Sequence, residues 1–222
     1  MSNYDGYKIV LLGESGVGKT CILNRFLNGK HDENCVANIT AQFCKKNVML
    51  PGGKSIEFEI WDTAGQEKFR SLNRIYYLNT KVAILVYDVT DRISFNEVKD
   101  YWYNQIKENS NKDVIIAIAA NKSDLYETRE VSNEDGEEFA KSVDAIFAST
   151  SAKNDSGITS LFENIAMKIL DPEFDFLANE QKIKEKYEIT KNKTKKGSKN
   201  NNDNSKNIVK LSNMPKKKKK CC

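Results

Sequence analysis

The feature that most constrains this chain is a glycine-rich stretch near its start, GESGVGKT at residues 13–20. The apolar run of residues 9–12 precedes it, and a helix-compatible segment, residues 21–28, follows it. A glycine-rich turn between a buried strand and a helix is the setting of a phosphate-binding loop, in which backbone N–H groups cradle phosphate oxygens. The stretch therefore predicts a bound phosphate, and the alternative is an ordinary glycine-rich turn.

The residues of this loop have separate predicted roles. Gly13, Gly16 and Gly18 let the backbone turn tightly, so that successive N–H groups point into one concave nest. Lys19 can reach the β- and γ-phosphates, and the Thr20 hydroxyl is a candidate ligand for Mg²⁺, which prefers hard oxygen donors. The predicted phosphate-binding residues of the stretch are Glu14, Ser15, Gly16, Val17, Gly18, Lys19, Thr20 and Cys21.

Charge divides the chain of 222 residues into a body and a tail. Residues 182–222 hold 15 lysines and three acidic residues, a net charge of +12, so residues 1–181 carry −8 of the overall +4. We expect a short N-terminal extension at 1–6, one folded domain at 7–171 and a tail at 172–222. The tail is predicted to be disordered, because its Lys/Asn-rich composition cannot repay the cost of chain ordering.

Nothing in the sequence predicts export or a membrane span. No window holds the about 18 consecutive apolar residues of a transmembrane helix, and the opening MSNYDGYK lacks the charged and apolar regions of a signal peptide. We therefore expect a cytosolic chain. Cys21, Cys35 and Cys44 lack the spacing of a metal site and are expected to be reduced thiols.

Apolar runs and helical patterns alternate along the body. The expected strands are residues 7–13, 41–50, 55–61, 82–87, 114–120 and 145–149, and the expected helices are residues 18–28, 94–109, 132–142 and 157–170. The segment PGGK, residues 51–54, signals a hairpin between the second and third strands. We predict an α/β fold with a doubly wound, mostly parallel six-stranded sheet, helices on both faces, and a ligand at the carboxyl ends of the strands.

The third expected strand leads into DTAGQE, residues 62–67. Asp62 is well placed to orient Mg²⁺ through water, and Gly65 offers an N–H that can approach a γ-phosphate with no side chain in the way. Gln66 follows at a distance suited to position an attacking water. We predict that Gln66 is catalytic, Asp62 belongs to the metal site and Gly65 contacts phosphate; the alternative is a strand end followed by a turn.

The fifth strand is followed by NKSD, residues 121–124, and the sixth by SAK, residues 151–153. The Asp124 carboxylate can accept hydrogen bonds from both the ring N–H and the exocyclic amine of guanine, a pattern that adenine lacks. A backbone N–H of the SAK segment can reach the guanine O6. The predicted base-binding residues are Asn121, Lys122, Asp124, Ser151, Ala152 and Lys153. They favour a guanine nucleotide over the ATP of a phosphate-loop kinase or other ATPase.

The motifs GESGVGKT, WDTAGQEKF, NKSD and SAK together resemble those of the Rab branch of the Ras-like small GTPases, over about residues 6–171. The stretches TAQF and AKSVDAIFASTSAK are most similar to the early-endosomal Rab twenty-one and Rab five subfamilies. Phe43, Trp61 and Tyr76 look like the aromatic triad with which the family faces its effectors.

This resemblance implies a monomeric switch with the small G-protein fold, which binds GTP and GDP with Mg²⁺ and slowly hydrolyses GTP to regulate vesicle or endosomal membrane traffic. The implied partners are a guanine-nucleotide exchange factor, a GTPase-activating protein, effectors of the GTP state, Rab escort protein and GDP-dissociation inhibitor. The implied location is the cytoplasmic face of endosomal, Golgi or vesicle membranes, with cycling through the cytosol.

The first switch departs from the family pattern. Counting back from Phe43, Asn38 stands where the family has the Thr that binds Mg²⁺ and senses the γ-phosphate, and Thr40 lies two residues later. Which of the two takes the metal role stays open, so a guanine-nucleotide-binding scaffold with impaired switching is the alternative function. His31 stands where an aromatic side chain normally stacks on guanine; it is either a base-binding residue or an exposed loop histidine.

The chain ends in five lysines followed by Cys221 and Cys222. This is not a C-a-a-X box, because the fourth residue from the end is Lys219, but the paired cysteines resemble the doubly geranylgeranylated Rab terminus. Two prenyl chains and a polybasic run would bind an anionic membrane surface. The alternative is a nuclear signal or nucleic-acid patch; few aromatic residues interleave with the lysines, so we expect no nucleic-acid partner.

Overall fold

The computed structural model describes residues 6–29, 42–50, 53–63 and 74–174. The strands are β1 (Tyr7–Leu12), β2 (Gln42–Met49), β3 (Ser55–Asp62), β4 (Val82–Asp88), β5 (Ile115–Asn121) and β6 (Ile146–Ser149). The helices are α1 (Lys19–Asn28), α2 (Arg74–Tyr77), α3 (Arg92–Glu97), α4 (Tyr103–Asn109), α5 (Asn133–Ser142) and α6 (Ile158–Leu170). A π-helical turn at Val98–Trp102 joins α3 to α4, and a single 3-10 turn spans Tyr126–Thr128.

The six strands form one sheet in the order β2-β3-β1-β4-β5-β6. β2 runs antiparallel to β3, and the other neighbours are parallel. This pairing confirms the predicted hairpin, which a hydrogen bond from the Leu50 N–H to the Lys54 carbonyl helps to close. The predicted doubly wound, mostly parallel six-stranded sheet is likewise confirmed.

Alternate residues of β1 enter two separate hydrophobic layers. Ile9 and Leu11 pack in the layer covered by α1 and α6, whereas Val10 and Leu12 pack in the layer covered by α3, α4 and α5. All seven residues of β4 are buried. A strand covered on both faces has no solvent side to accommodate polar residues, which explains why the sequences of β4 and β5 are nearly unbroken apolar runs.

The prediction of a single helix over residues 94–109 is wrong in two respects. It begins earlier, because the Asp91 carboxylate accepts hydrogen bonds from the N–H groups of Ile93 and Ser94 and caps the first turn of α3. It is also interrupted by the π-helical turn, in which the N–H of Tyr103 bonds to the carbonyl of Val98, five residues back.

The spacing of buried side chains gives a physical reason for the wide turn. Ser94, Val98, Trp102 and Ile106 are all buried, and each lies four residues after the one before. In a continuous α-helix every four-residue step overshoots a full turn by about 40°, so that the buried line would spiral away from the sheet. The wider turn reduces this drift and keeps Trp102 over the core.

The other predicted elements begin and end within one residue of their observed bounds. Three strands extend one residue beyond the prediction, to Asp62, Asp88 and Asn121. Helix α2 has no counterpart among the predictions, because four residues are too few to show a helical period. In the described part of the chain, no helix combines the length and the apolar character that crossing a membrane requires.

Candidate nucleotide-binding site

Polar residues end three of the parallel strands at one edge of the sheet. Asp62 ends β3, Asp88 ends β4 and Asn121 ends β5, and the glycine-rich loop leaves β1 at the same edge. In the strand pairing Asp62 lies beside Leu11, and Asp88 lies beside Asn121. The carboxyl ends of a doubly wound sheet are where such folds bind ligands, so the topology brings the sequence motifs together.

Two glycines let the loop between β1 and α1 pass close to neighbouring strand ends. Gly13 has a φ of 143°, and a Cβ there would lie 2.2 Å from the carbonyl oxygen of Val86. Gly18 has a φ of 94°, and its Cβ would lie 2.3 Å from the amide nitrogen of Asn121. Both distances are far shorter than a van der Waals contact. A side chain at Gly13 would therefore displace the loop from β4, and one at Gly18 would displace either the loop or the Asn121 side-chain amide.

Lys19, the first residue of α1, is buried with its ammonium turned back over the loop. Its Nζ donates to the carbonyl oxygens of Gly13, at 2.8 Å, and Glu14, at 2.7 Å. Burial lowers the pKa of Lys19 to about 8, while the nearby carboxylates of Asp62 and Glu14 act in the opposite direction. A buried ammonium held by two neutral carbonyls is well suited to take an anionic ligand as a further partner.

The Thr20 hydroxyl and the Asp62 carboxylate meet beside this lysine. Thr20 Oγ1 donates to Asp62 Oδ2 over 2.6 Å, and Asp62 is fully buried. The next residue, Thr63, anchors the strand end through a hydrogen bond from its Oγ1 to the Leu11 carbonyl, 2.6 Å long. A hydroxyl and a carboxylate side by side are the hard oxygen donors that Mg²⁺ prefers, so these residues fit the predicted metal.

A pocket of about 230 Å³ lies between the glycine-rich loop, the start of α1 and the segments after β5 and β6. Its lining residues come from three of the four predicted motifs, from α1 and from the residue after NKSD: Gly18, Cys21, Asn121, Lys122, Asp124, Leu125, Ala152 and Lys153. The structure therefore brings the predicted base-binding residues of NKSD and SAK to the C-terminal side of the phosphate loop.

Asp124 is oriented by a residue of the SAK segment. Ser151 Oγ donates to Asp124 Oδ1 over 2.5 Å, and the Ser151 side chain also accepts a hydrogen bond from the N–H of Asn154 at 3.3 Å. Ser151 itself is fully buried. A carboxylate with one oxygen engaged by a buried hydroxyl has a fixed orientation, which is what paired hydrogen bonds to a planar base require.

Asn121 has a linking position rather than an exposed one. Its side chain is buried; Nδ2 donates to the Val17 carbonyl at 2.8 Å, and Oδ1 accepts from Thr150 Oγ1 at 3.2 Å. These bonds connect the end of β5 to the phosphate loop and to the residue after β6. Asn121 thus aligns the two halves of the site.

Sequence reasoning missed two residues that hold predicted site residues in place. Asp88 forms an ion pair with Lys122, 2.6 Å between Oδ2 and Nζ, and the Trp102 indole N–H donates to Glu14 Oε1 at 3.0 Å. Asp88 is itself the polar residue that ends the apolar run of β4, and this position could have identified it from the sequence. Because the Glu14 carboxylate is engaged with Trp102, a phosphate contact from Glu14 would use its main-chain N–H.

The three aromatic residues of the predicted triad lie side by side in space, in the order Phe43, Trp61 and Tyr76. The ring centroids of Phe43 and Trp61 are 4.9 Å apart, and those of Trp61 and Tyr76 are 5.8 Å apart. Phe43 is 46% exposed, a high value for a phenylalanine. The strand pairing explains the arrangement, since Phe43 of β2 lies directly opposite Trp61 of β3.

Seven of the predicted site residues fall outside the described residues. They are His31, Asn38 and Thr40 before β2, Gly65 and Gln66 after β3, and the terminal pair Cys221 and Cys222. Their roles stay predictions.

A model of the Ras family matches residues 8–171. The chain belongs to the Ras family. Its curated relatives include Ras-related protein Rab-31 of Rattus norvegicus, 44% identical over 167 residues that make up 74% of this chain and 85% of the relative. Ras-related protein Rab-22A of Homo sapiens is 41% identical over 162 residues, 73% of this chain and 82% of the relative. Ras-related protein Rab-21 of Mus musculus is 40% identical over 165 residues, 74% of this chain and 73% of the relative.

These matches confirm the resemblance of the sequence motifs to those of Rab proteins. The chain is a small GTPase of the Ras family, most of whose length aligns with Rab proteins, Rab-21 among them. The fold that this Ras-family membership implies is the one observed, with the motif residues at the carboxyl edge of the sheet.

Proposed function

We propose that this GTPase is a Rab-type molecular switch, which binds GTP and GDP with Mg²⁺, slowly hydrolyses GTP and recruits effectors in the GTP state to regulate vesicle or endosomal membrane traffic. The observation that carries the proposal is the pocket in which Asp124, oriented by Ser151, lies across from Gly18 of the phosphate loop. One pocket thus offers a guanine-reading carboxylate next to a phosphate-reading loop.

Each group of the site has a proposed task. The loop N–H groups and Lys19 bind the phosphates, while Thr20 and Asp62 hold Mg²⁺, whose charge, when it is bound, offsets that of the phosphates. Gln66 positions the attacking water, and the Gly65 N–H contacts the γ-phosphate. Asp124 reads the base.

Hydrolysis is proposed to be slow without a partner. Residues 29–41, which include the first switch loop, contain no arginine that could stabilise the developing charge in cis. A GTPase-activating protein that supplies this charge in trans is worth about 10³–10⁵ in rate. An exchange factor, effectors, Rab escort protein and GDP-dissociation inhibitor complete the proposed set of partners for a monomer.

The proposed domain is residues 7–171, and the tail from residue 172 is proposed to anchor it. Prenyl groups on Cys221 and Cys222, with the five lysines before them, would hold the protein on the cytoplasmic face of endosomal, Golgi or vesicle membranes. Phe43, Trp61 and Tyr76 are proposed to face the effectors.

The test is a single-turnover measurement on the purified protein in Mg²⁺, together with competition between GTP and ATP for binding. We expect strong preference for GTP and slow hydrolysis that Gln66→Leu abolishes, whereas Gln105→Leu, a matched change on α4, leaves the rate unaltered. Equal binding of ATP, or wild-type hydrolysis by Gln66→Leu, would contradict the proposal.

The alternative function, a guanine-nucleotide scaffold with impaired switching, is motivated by Asn38. It predicts tight guanine-nucleotide binding without hydrolysis, or nucleotide that Mg²⁺ does not help to retain. Comparing GTP retention with and without EDTA in the wild type, Asn38→Thr and Thr40→Ala identifies the residue that takes the metal role. Equal behaviour of all three proteins would remove the motivation for the scaffold.

A further inference from the structure

The side chain of Arg25, in the last turn of α1, connects this helix to the segment after β6. Its Nε donates to the Ala152 carbonyl at 2.8 Å, its Nη2 donates to the Lys153 carbonyl at 2.9 Å, and its Nη1 donates to the Gly29 carbonyl at 2.9 Å. We propose that Arg25 is a positioning residue for guanine recognition, which holds the backbone of Ala152 and Lys153 in the orientation that reads the base. This inference rests on the proposed guanine-nucleotide binding.

Helix capping accounts for only one of the three hydrogen bonds. A cation near the C-terminus of a helix is favourable, and the bond to Gly29 satisfies a carbonyl just beyond α1. The other two bonds leave the helix and end on residues 127 and 128 positions later in the chain. A cap alone would not need them.

Because the peptide bond is planar, a hydrogen bond that holds a carbonyl also fixes the direction of the N–H group in the same peptide. In a trans peptide the carbonyl and the following N–H point in opposite directions, so holding the Ala152 carbonyl also fixes the Lys153 N–H. The preceding peptide is held separately, because the N–H of Ser156 donates to the Ser151 carbonyl at 3.1 Å. Ala152 therefore has both flanking peptide planes fixed, the first through Ser156 and the second through Arg25.

The held segment forms part of the wall of the base pocket. Ala152 and Lys153 line the pocket with Asp124, and Cys21, one helical turn before Arg25, lines it from α1. Helix α1 thus carries Lys19 and Thr20 at its phosphate end and Arg25 at its base end. The geometry gives one rigid element that sets the distance between the phosphate loop and the base-reading backbone.

Arginine is suited to this task because its guanidinium is a planar fork with donors in fixed directions. Lysine carries the same charge, but its single ammonium cannot reproduce two parallel bonds to successive carbonyls from one rigid plane. The pair Arg25→Lys and Arg25→Gln therefore separates charge from geometry.

The test measures base selectivity rather than affinity alone. Competition binding compares GDP with the diphosphate of 2-aminopurine riboside, which keeps the exocyclic amine but lacks the 6-oxygen and the ring N–H, in the wild type and the Arg25 variants. The missing ring N–H removes one contact to Asp124 equally in every variant, so a change in the affinity ratio between variants reports on the O6 contact. Because only GDP can accept the backbone hydrogen bond at O6, Arg25→Gln should reduce the ratio of the two affinities by about tenfold, the value of one hydrogen bond. Arg92→Gln, which removes another arginine that bonds to a main-chain carbonyl, at Glu130, should leave the ratio unchanged.

The outcomes distinguish a positioning role of Arg25 from a purely structural role. If both nucleotides lose affinity by the same factor in Arg25→Gln, Arg25 stabilises the fold only and the inference is wrong. It is equally wrong if Arg25→Lys keeps the full wild-type ratio, and this variant decides alone should Arg25→Gln not fold. A wild type that does not prefer GDP to the analogue or to ADP would instead overturn the proposed function.

Discussion

Replacing Asn121 by alanine should destabilise the protein substantially, because its amide joins three segments inside the core. The side chain is 1% exposed, and it contacts the Val17 carbonyl through Nδ2 and the Thr150 hydroxyl through Oδ1. Val17 and Thr150 are also buried, so both groups lose their partner in a place with little access to water.

The magnitude follows from these two groups. A buried polar group left without a partner costs about 1–3 kcal/mol, so Asn121→Ala should lower the free energy of unfolding by about 2–6 kcal/mol. In a protein of this size 1 kcal/mol shifts the melting temperature by about 2–4 °C. The expected decrease is therefore about 4–24 °C.

The assay is thermal unfolding followed by circular dichroism at a series of GDP concentrations, extrapolated to zero ligand so that altered binding is not counted as altered stability. Thr150→Val and the double variant complete a mutant cycle. Because the two residues share a hydrogen bond, the double variant should be less destabilised than the sum of the single ones, by about 0.5–3 kcal/mol. Asn109→Ala on α4, whose amide donates to the Gln105 carbonyl one turn away, is the matched control.

Two results would refute the reasoning. One is a decrease of less than about 4 °C for Asn121→Ala, which would mean that the buried carbonyl and hydroxyl find other partners. The other is strict additivity in the cycle, which would mean that the 3.2 Å contact between Asn121 and Thr150 contributes nothing.

Three further perturbations test other parts of the site. The pKa of Lys19 in the folded protein, about 8, lies below its unfolded value of 10.5, so the unfolded chain binds more protons between these values. The stability of the nucleotide-free protein should therefore gain from Lys19 as pH rises from 8 to 10, and urea denaturation of Lys19→Met should lack this gain. Gly136→Ala should lower the melting temperature by a few degrees, although alanine has a higher helix propensity than glycine. The reason is that the new Cβ would lie 2.4 Å from Tyr87 Oη and 2.6 Å from the Phe147 ring. Adding EDTA should accelerate release of a fluorescent GDP analogue in the wild type but have little further effect in Asp62→Ala; equal acceleration in both would remove Asp62 from the metal site.

The sequence predicted the parts of the site that are encoded locally. Nearly unbroken apolar runs located β4 and β5, and an alternating pattern located β3. The polar residues at the ends of these strands, such as Asp62 and Asn121, had to lie at one edge because the strands are parallel to their neighbours in the centre of the sheet. The glycines at 13 and 18 were readable because only a tight turn needs them in that pattern.

The contacts that support the motifs were not predictable in the same way. Arg25 bonds to residues 127 and 128 positions away, and Trp102 bonds to Glu14 across 88 positions. Neither arginine in an amphipathic helix nor tryptophan in an apolar pattern carries a local signal of its partner. The π-helical turn was missed for a related reason, since a four-residue spacing of buried residues also fits the approximate period of an ordinary helix.

The π-helical turn also has a consequence for the outer surface of the protein. Between the buried side chains of Val98 and Trp102 the turn presents Lys99, Asp100 and Tyr101, of which the first two are exposed. Three residues lie between these buried neighbours, as they do elsewhere along the ladder, so the turn adds no side chain to the solvent side. Its consequence there is one of charge, since Lys99 and Asp100 present an ammonium and a carboxylate side by side to whatever approaches.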